Sequence, residues 1–178
     1  MTEEKFLKQF QQALRDEKFD CSYIEATDQT FYSRLLLFLG VDDKEREKIL
    51  EVTAIKQELM QGLDSSDNPF YRIQFQAVFP FTVHPQASTQ VSSLICYLNR
   101  LIELPGFEMD EINLTLNYRY ILLYGERDFN KNLYFSIVGL IMLTLELFSS
   151  TLERIARGET TFNQILEEII KIAQQFKP

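Results

Sequence analysis

The apolar positions change period along the chain, and each change marks an element. Between Val91 and Glu126 three signals follow without a gap. Val91, Leu94, Ile95, Leu98, Leu101 and Ile102 recur at spacings of three and four, which places them on one helical stripe. Leu104-Pro105-Gly106 then stops the helix, because Pro lacks an amide hydrogen and Gly permits a sharp exit. After it the period falls to two. Ile112, Leu114, Leu116, Tyr118, Tyr120 and Leu122 alternate with Asn113, Thr115, Asn117 and Arg119, as in a strand with one buried face.

The same reading covers the rest of the chain. Thr2 caps a first helix with Glu3 and Glu4 in its first turn and Phe6, Leu7, Phe10, Ala13 and Leu14 on its stripe; Arg15-Asp16-Glu17-Lys18 ends it. The segment from Phe19 to Phe31 is mixed. Arg34–Leu39, stopped by Gly40, is short and apolar on both sides, a buried strand. Ile49–Ile55 reads two ways. Asp42 and the charges after it favour a helix, whereas Val52, Thr53 and Ile55 are β-branched and favour a strand entered through a charged hairpin; the strand is preferred. Asp64–Pro69 is a loop. Tyr71, Ile73, Phe75, Ala77 and Phe79 alternate with Arg72, Gln74 and Gln76 in a strand closed by Pro80, and Pro85 opens the helix described first.

Beyond Gly106, Phe107-Glu108-Met109 forms a short strand, Asp110-Glu111 its turn and Asn113–Leu123 the longer partner, with a further turn at Gly125–Asp128. A long helix runs from about Phe129 to Arg157 with Gly158 as its C-cap. Its first half, Leu133–Leu145, is apolar on nearly all sides, which predicts burial by more than one neighbour. Thr161 and Gln164 have capping-box spacing for a last helix striped by Ile165, Leu166, Ile169, Ala173 and Phe176. The expected fold is α+β: an antiparallel sheet of about five strands with helices on one face, in the order α-β-β-β-α-β-β-α plus a C-terminal helix, all within a single domain over residues 1–178.

Composition narrows the classes. The chain has 178 residues, is 46% hydrophobic and carries a formal charge of −8. That charge argues against a general nucleic-acid binder, which needs Lys and Arg to displace counterions, and against electrostatic binding to a membrane surface. The two cysteines, Cys21 and Cys96, point to free thiols in a reducing compartment. No signal-peptide pattern opens the chain, and the uncharged run Asn132–Leu145 is short of the ~20 residues a membrane crossing needs. The expected location is the cytoplasm.

The helix ending in LIELPGF, followed by EMDEINLTLNYRYIL, resembles the YbjN-like family, which shares the fold of class I type III secretion chaperones. Gly106, Phe107, Asp110, Glu111, Leu114, Leu116 and Tyr118 stand where that family has its Gly-Phe exit, acidic turn and strand, and the run NLYFSIVGLIMLTLELF is similar to its long helix. The resemblance spans roughly Tyr71–Arg157. The C-terminal helix is a departure from a minimal secretion chaperone. The resemblance implies no catalytic residues.

Chemistry-bearing patterns are sparse. His84, the single histidine, sits in a turn between Val83 and Pro85; Cys96 lies one residue past a helical stripe with no histidine nearby in sequence. There is no phosphate-binding glycine loop and no nucleophile elbow. Glu103, Glu108, Asp110 and Glu111 lack the alternating spacing of a calcium loop and read as a solvated turn, and the Asn113-Leu114-Thr115 sequon falls in a strand. No catalytic residue, metal site or cofactor is expected.

One pattern departs from a simple core. Val78, Ile121 and Leu123 fall opposite the main strand stripes, and RLLLFL, which carries Leu36 and Phe38, is apolar on both sides. The second sheet face therefore needs a cover, at least locally. The cover is either the chain's own C-terminal helix or N-terminal segment, or a second subunit or bound client. The leading functional expectation is a non-enzymatic, acidic chaperone or adaptor, dimeric, that holds a partner protein segment at Leu36, Phe38, Val78, Ile121 and Leu123, with neither nucleic acid nor membrane as partner. The alternatives are a YbjN-type regulatory or complex-assembly protein without a chaperone cycle, and an enzyme, for which no nucleophile–base pair is detectable.

Overall fold

The structure is a computed structural model that describes residues 2–28, 30–57, 70–125 and 129–175, the side chains of 172–175 excepted. The expected loop at Asp64–Pro69, residues 126–128 of the later turn and Phe176 lie outside the described residues. The fold is α+β. Helix α1 (Glu3–Asp16) is followed by strands β1 (Cys21–Ile24), β2 (Arg34–Val41), β3 (Glu47–Gln57) and β4 (Phe70–Thr82). Helix α2 (Ser88–Asn99), entered through a 3₁₀ turn at Pro85–Ala87, leads to β5 (Phe107–Asp110), β6 (Thr115–Gly125), α3 (Lys131–Ala156) and α4 (Phe162–Gln175). The six strands form one sheet in the order β1-β2-β3-β4-β6-β5, and the ladders β1–β2, β2–β3, β3–β4 and β5–β6 are antiparallel.

The chain clusters into two compact units. The first is Met1–Val78 with Arg119–Gly139, the second Phe79–Tyr118 with Leu140–Pro178. In the first, α1 starts as its sequence dictates, with the Thr2 hydroxyl accepting from the Lys5 amide at 3.2 Å. It packs on β3, β1 and β2. Phe6, Leu7, Phe10 and Leu14 are buried to within 1%, each contributing about 1.5–3 kcal/mol of burial. The Phe10 ring meets Phe75 of β4 at 6.4 Å and Tyr134 of α3 at 5.5 Å, so α1 and the start of α3 share the face carrying Leu35, Leu37, Leu50, Val52 and Ile73. Ile49–Ile55 is a strand: Val52 pairs with Leu35 on one side and Phe75 on the other. Asp42 builds the hairpin before it, accepting from the amides of Lys44 (2.8 Å) and Arg46 (2.9 Å).

In the second unit Phe107 is the hub, its ring 5.3 Å from Tyr118, 6.2 Å from Phe79 and 6.1 Å from Phe148. Helix α2 packs on β5 and α4. The exposed His84 at the start of the 3₁₀ turn donates its amide to the Ala156 carbonyl at 2.8 Å, tying the entry of α2 to the end of α3. The expected capping box of the last helix is formed: Gln164 donates its amide to the Thr161 hydroxyl (3.3 Å), and its side-chain oxygen accepts from the Thr161 amide (2.8 Å).

Several details differ from the expectation. The sheet has six strands, because Cys21–Ile24 in the mixed segment pairs with β2. Strand β4 runs through Pro80 to Thr82; its register with β3 ends at Glu51↔Gln76, so the missing amide hydrogen of Pro80 falls outside that ladder. Helix α2 ends at Asn99, ahead of Leu104-Pro105-Gly106, and Leu101 is exposed. Ile112 lies in the turn before β6 and is 92% exposed, since Asp110 accepts the amides of Ile112 (2.9 Å) and Asn113 (3.0 Å) and holds the chain there until Leu114, at φ 54°, redirects it. Helix α3 is not enclosed all round. Leu143 and Leu147 are exposed, and its most apolar window, with a mean hydropathy of 1.8 over 18 residues, is only 33% buried. By length and composition alone α3 would pass for a membrane crossing; within the described fold Tyr134, Ile137, Val138, Ile141 and Leu152 bury one side of it.

Candidate functional site

The outward sheet face of the first unit is the surface to which the five expected partner-binding residues belong. Strand geometry puts every second side chain there. Leu36 stands opposite Glu51 and Phe38 opposite Ile49; Thr53 stands opposite Gln74 and Ile55 opposite Arg72. Val78 is the next outward residue of β4 after Gln76, and Ile121 and Leu123 follow Arg119 on β6. All five expected residues share this face. Val78 (59%) and Leu123 (67%) are exposed, whereas Leu36, Phe38 and Ile121 are half-buried. Among the described residues none covers Val78 or Leu123.

The face is not one apolar groove. Strands β3 and β4 separate Leu36 and Phe38 from Ile121 and Leu123, and their outward positions are largely polar. Arg34 and Glu51 form an ion pair at 3.1 Å across β2 and β3, and Gln74 donates to Gln76 at 2.8 Å along β4. Phe38, Ile49 and Val78 give this mixed surface an apolar end, and Ile121 with Leu123 gives it an apolar side. Periodicity revealed the parity of these positions. The polar band between them was not read as part of the site, because strand order decides which residues lie between.

The sheet edges are engaged by side chains. On the edge strand β1, Arg15 of α1 donates to the Cys21 carbonyl at 3.3 Å. With its amide oxygen turned toward β1, Gln11 accepts from the Tyr23 amide at 3.2 Å. On the edge strand β5, the Asn99 side chain binds both the amide and the carbonyl of Phe107, at 3.0 and 2.9 Å. A backbone group paired in this way is closed to strand addition, so Cys21, Tyr23 and Phe107 are blocked at the two edges.

Chemistry elsewhere is limited. Among the described residues no group of three or more His, Cys, Asp or Glu side chains is placed to hold a metal ion. Cys21 is buried, and burial pushes its thiol up despite the nearby Arg15, the reverse of what a reactive thiolate needs. Cys96 is exposed. Asp110, in the acidic turn, is held below the usual carboxylate range by hydrogen bonds from Asn113 and Ile112. A shallow depression of about 440 Å³ is lined by Thr2, Glu4, Lys5, Lys8, Gln9 and Gln12; these belong to one helix and its cap, which form no enclosing wall. No family model matches the chain, and no curated protein matches it in sequence.

Proposed function

We propose that the protein is a non-enzymatic, acidic binding module of the YbjN-like, secretion-chaperone-like type, a cytoplasmic chaperone or adaptor that works as a homodimer and holds a segment of a partner protein. The observation that supports this reading is the pair Val78 and Leu123, 59% and 67% exposed on a sheet face that also carries Leu36, Phe38 and Ile121. Exposed apolar side chains on a formed sheet lower their free energy by burial against a partner, at about 25 cal/mol per Å². The net charge of −8 keeps a complex with an apolar segment dispersed.

The test is a double substitution, Val78→Asp with Leu123→Asp. Both residues are exposed, so the circular dichroism spectrum and thermal midpoint are expected to hold. One partner recovered with the wild-type chain at fixed stoichiometry is expected to be lost from the variant. A variant that retains that partner at wild-type stoichiometry, or a wild-type chain that is monomeric and carries no partner, overturns the reading.

A further inference from the structure

Resting on the homodimer in that reading, we infer that two copies pair through the open side of α3, antiparallel about a two-fold axis at Leu143. Val138, Ile141 and Leu145 are buried on the inward side of this helix, whereas Gly139, Leu143 and Leu147 are exposed in one row at a spacing of four. Rows of that spacing are the ridges by which helices pack. This row is its own complement. Leu147 stands about 6 Å beyond Leu143 along the axis and Gly139 about 6 Å before it, four residues of helical rise each way. Leu147 is a knob. Gly139 is a notch, where an added Cβ would meet nothing within 4 Å. A two-fold axis at Leu143 turns one helix end for end against the other. Each Leu147 then falls on the other copy's Gly139, and the two Leu143 side chains meet. A closed dimer needs one patch that fits itself in this way. Any other partner would need a helix shaped to the same offsets, which a second copy already carries.

Charge points the same way. Two copies of a chain at −8 repel wherever acidic surface meets acidic surface. The run Asn132–Leu145 holds no charge, so identical copies approach here with little repulsion. Glu146, the nearest acid, lies three residues past Leu143, and the two-fold sets it against the other copy's Leu140, not against the other Glu146. The row is short against the ~800 Å² per partner of a stable interface, so the dimer is expected to dissociate on dilution.

The experiment uses the full chain. Sedimentation velocity at rising concentration is expected to show a monomer passing into a dimer. Gly139→Leu fills the notch and Leu143→Glu puts a charge at the axis; each is expected to weaken the dimer roughly tenfold or more. Both positions are exposed, and leucine suits a helix better than glycine, so helical circular dichroism is expected to hold. Crosslinking tests the geometry. With Cys96→Ser as background, Leu143→Cys is expected to give a disulfide-linked dimer on oxidation with copper–phenanthroline. Ser150→Cys is not, since the two-fold holds the two positions about 20 Å apart, beyond the reach of a disulfide. A chain that stays monomeric at high concentration, or a dimer indifferent to both variants, overturns the inference. Crosslinking through Ser150→Cys means parallel pairing and overturns it as well. Another protein held at fixed stoichiometry and lost in Gly139→Leu assigns the row to that partner, and flotation with phosphatidylcholine vesicles that is lost in Leu143→Glu assigns it to a lipid surface; both overturn the second copy. A monomer that still carries its native partner overturns the pairing alone. Failure of the sheet-face reading shows separately, in retention of that partner by the Val78→Asp, Leu123→Asp chain.

Discussion

The side chain of Asn99 stands in for a missing strand beside Phe107. Its Oδ1 accepts from the Phe107 amide at 3.0 Å and from the Gly106 amide at 3.1 Å, while its Nδ2 donates to the Phe107 carbonyl at 2.9 Å. One amide at the end of α2 thus fixes the exit through Pro105-Gly106 and satisfies the outer edge of β5. Phe107 is only 3% exposed, so these backbone groups have little recourse to water. Asn99→Ala is expected to lower unfolding stability by about 2–3 kcal/mol, read from the urea midpoint. Asn99→Asp, which keeps the acceptor but loses the donor, is expected to fall between. A freed β5 edge also favours self-association, which light scattering detects.

Gly158 ends α3 in the left-handed region at φ 74°, with its amide on the Ile155 carbonyl at 2.9 Å and the Glu159 amide on the Arg154 carbonyl at 3.0 Å. This double bond pattern closes a helix where only glycine sits without strain. A Cβ at Gly158 would meet nothing within 4 Å, so Gly158→Ala tests backbone conformation alone. The expected cost is about 1 kcal/mol, measured by thermal or urea unfolding. A larger loss would mean that the helix end unravels.

The β2–β3 hairpin gives an acid-sensitive feature. Burial opposes the charge on Asp42, but hydrogen bonds from the Arg46 side chain and from the amides of Arg46 and Lys44 outweigh it and hold the carboxyl down to about 2. The folded value lies below the ~3.9 of an unfolded aspartate, so the folded state binds this proton more weakly. The stabilisation is therefore present above pH ~4 and is lost as pH falls through about 2. Asp42→Asn is expected to flatten the pH dependence of stability in that window, and a carbon-detected NMR titration of Asp42 checks the value directly.

How far the sequence carried can be judged element by element. Thr2, the period-two run around Phe75, and Gly158 act through local geometry, and each was legible because cap, alternation and left-handed turn need no distant partner; around Val52 the β-branched residues only tipped a stretch that also read as helix. Strand β1 was not legible. Its four residues form a strand because β2 offers the register Cys21↔Leu37 through Ile24↔Arg34. Ile112 fits an alternation that begins too early, since the Asp110 side chain, not hydrophobic period, decides where β6 starts. For the candidate site, the outward parity of Val78 and Leu123 followed from the pleat. The band of Glu51, Arg72 and Gln74 that divides the apolar residues follows from the strand order β2-β3-β4-β6, which no local pattern encodes.

Tyr134 provides a test of the first unit's core. Its ring is fully buried, 5.0 Å from Phe129 in a stacked pair and 5.1 Å from Phe6, with Tyr124 at 5.9 Å. Its hydroxyl is buried beside that of Tyr124, and meets strict hydrogen-bond geometry with no group among the described residues. The ring contributes packing, and the buried oxygen has only the Tyr124 hydroxyl near it to offset its lost hydration. Tyr134→Phe is therefore expected to leave stability unchanged or raise it by up to about 1 kcal/mol, whereas Tyr134→Ala is expected to cost about 3–5 kcal/mol. The alkaline behaviour follows from the same burial, which together with Tyr124 pushes the phenol well above the ordinary tyrosine range. The folded state keeps this proton where the unfolded chain releases it, so stability declines as pH rises beyond ~10. Tyr134→Phe is expected to reduce that decline, measured by urea unfolding at a series of alkaline pH values. A Phe variant that is less stable at neutral pH would show that the hydroxyl makes a bond after all.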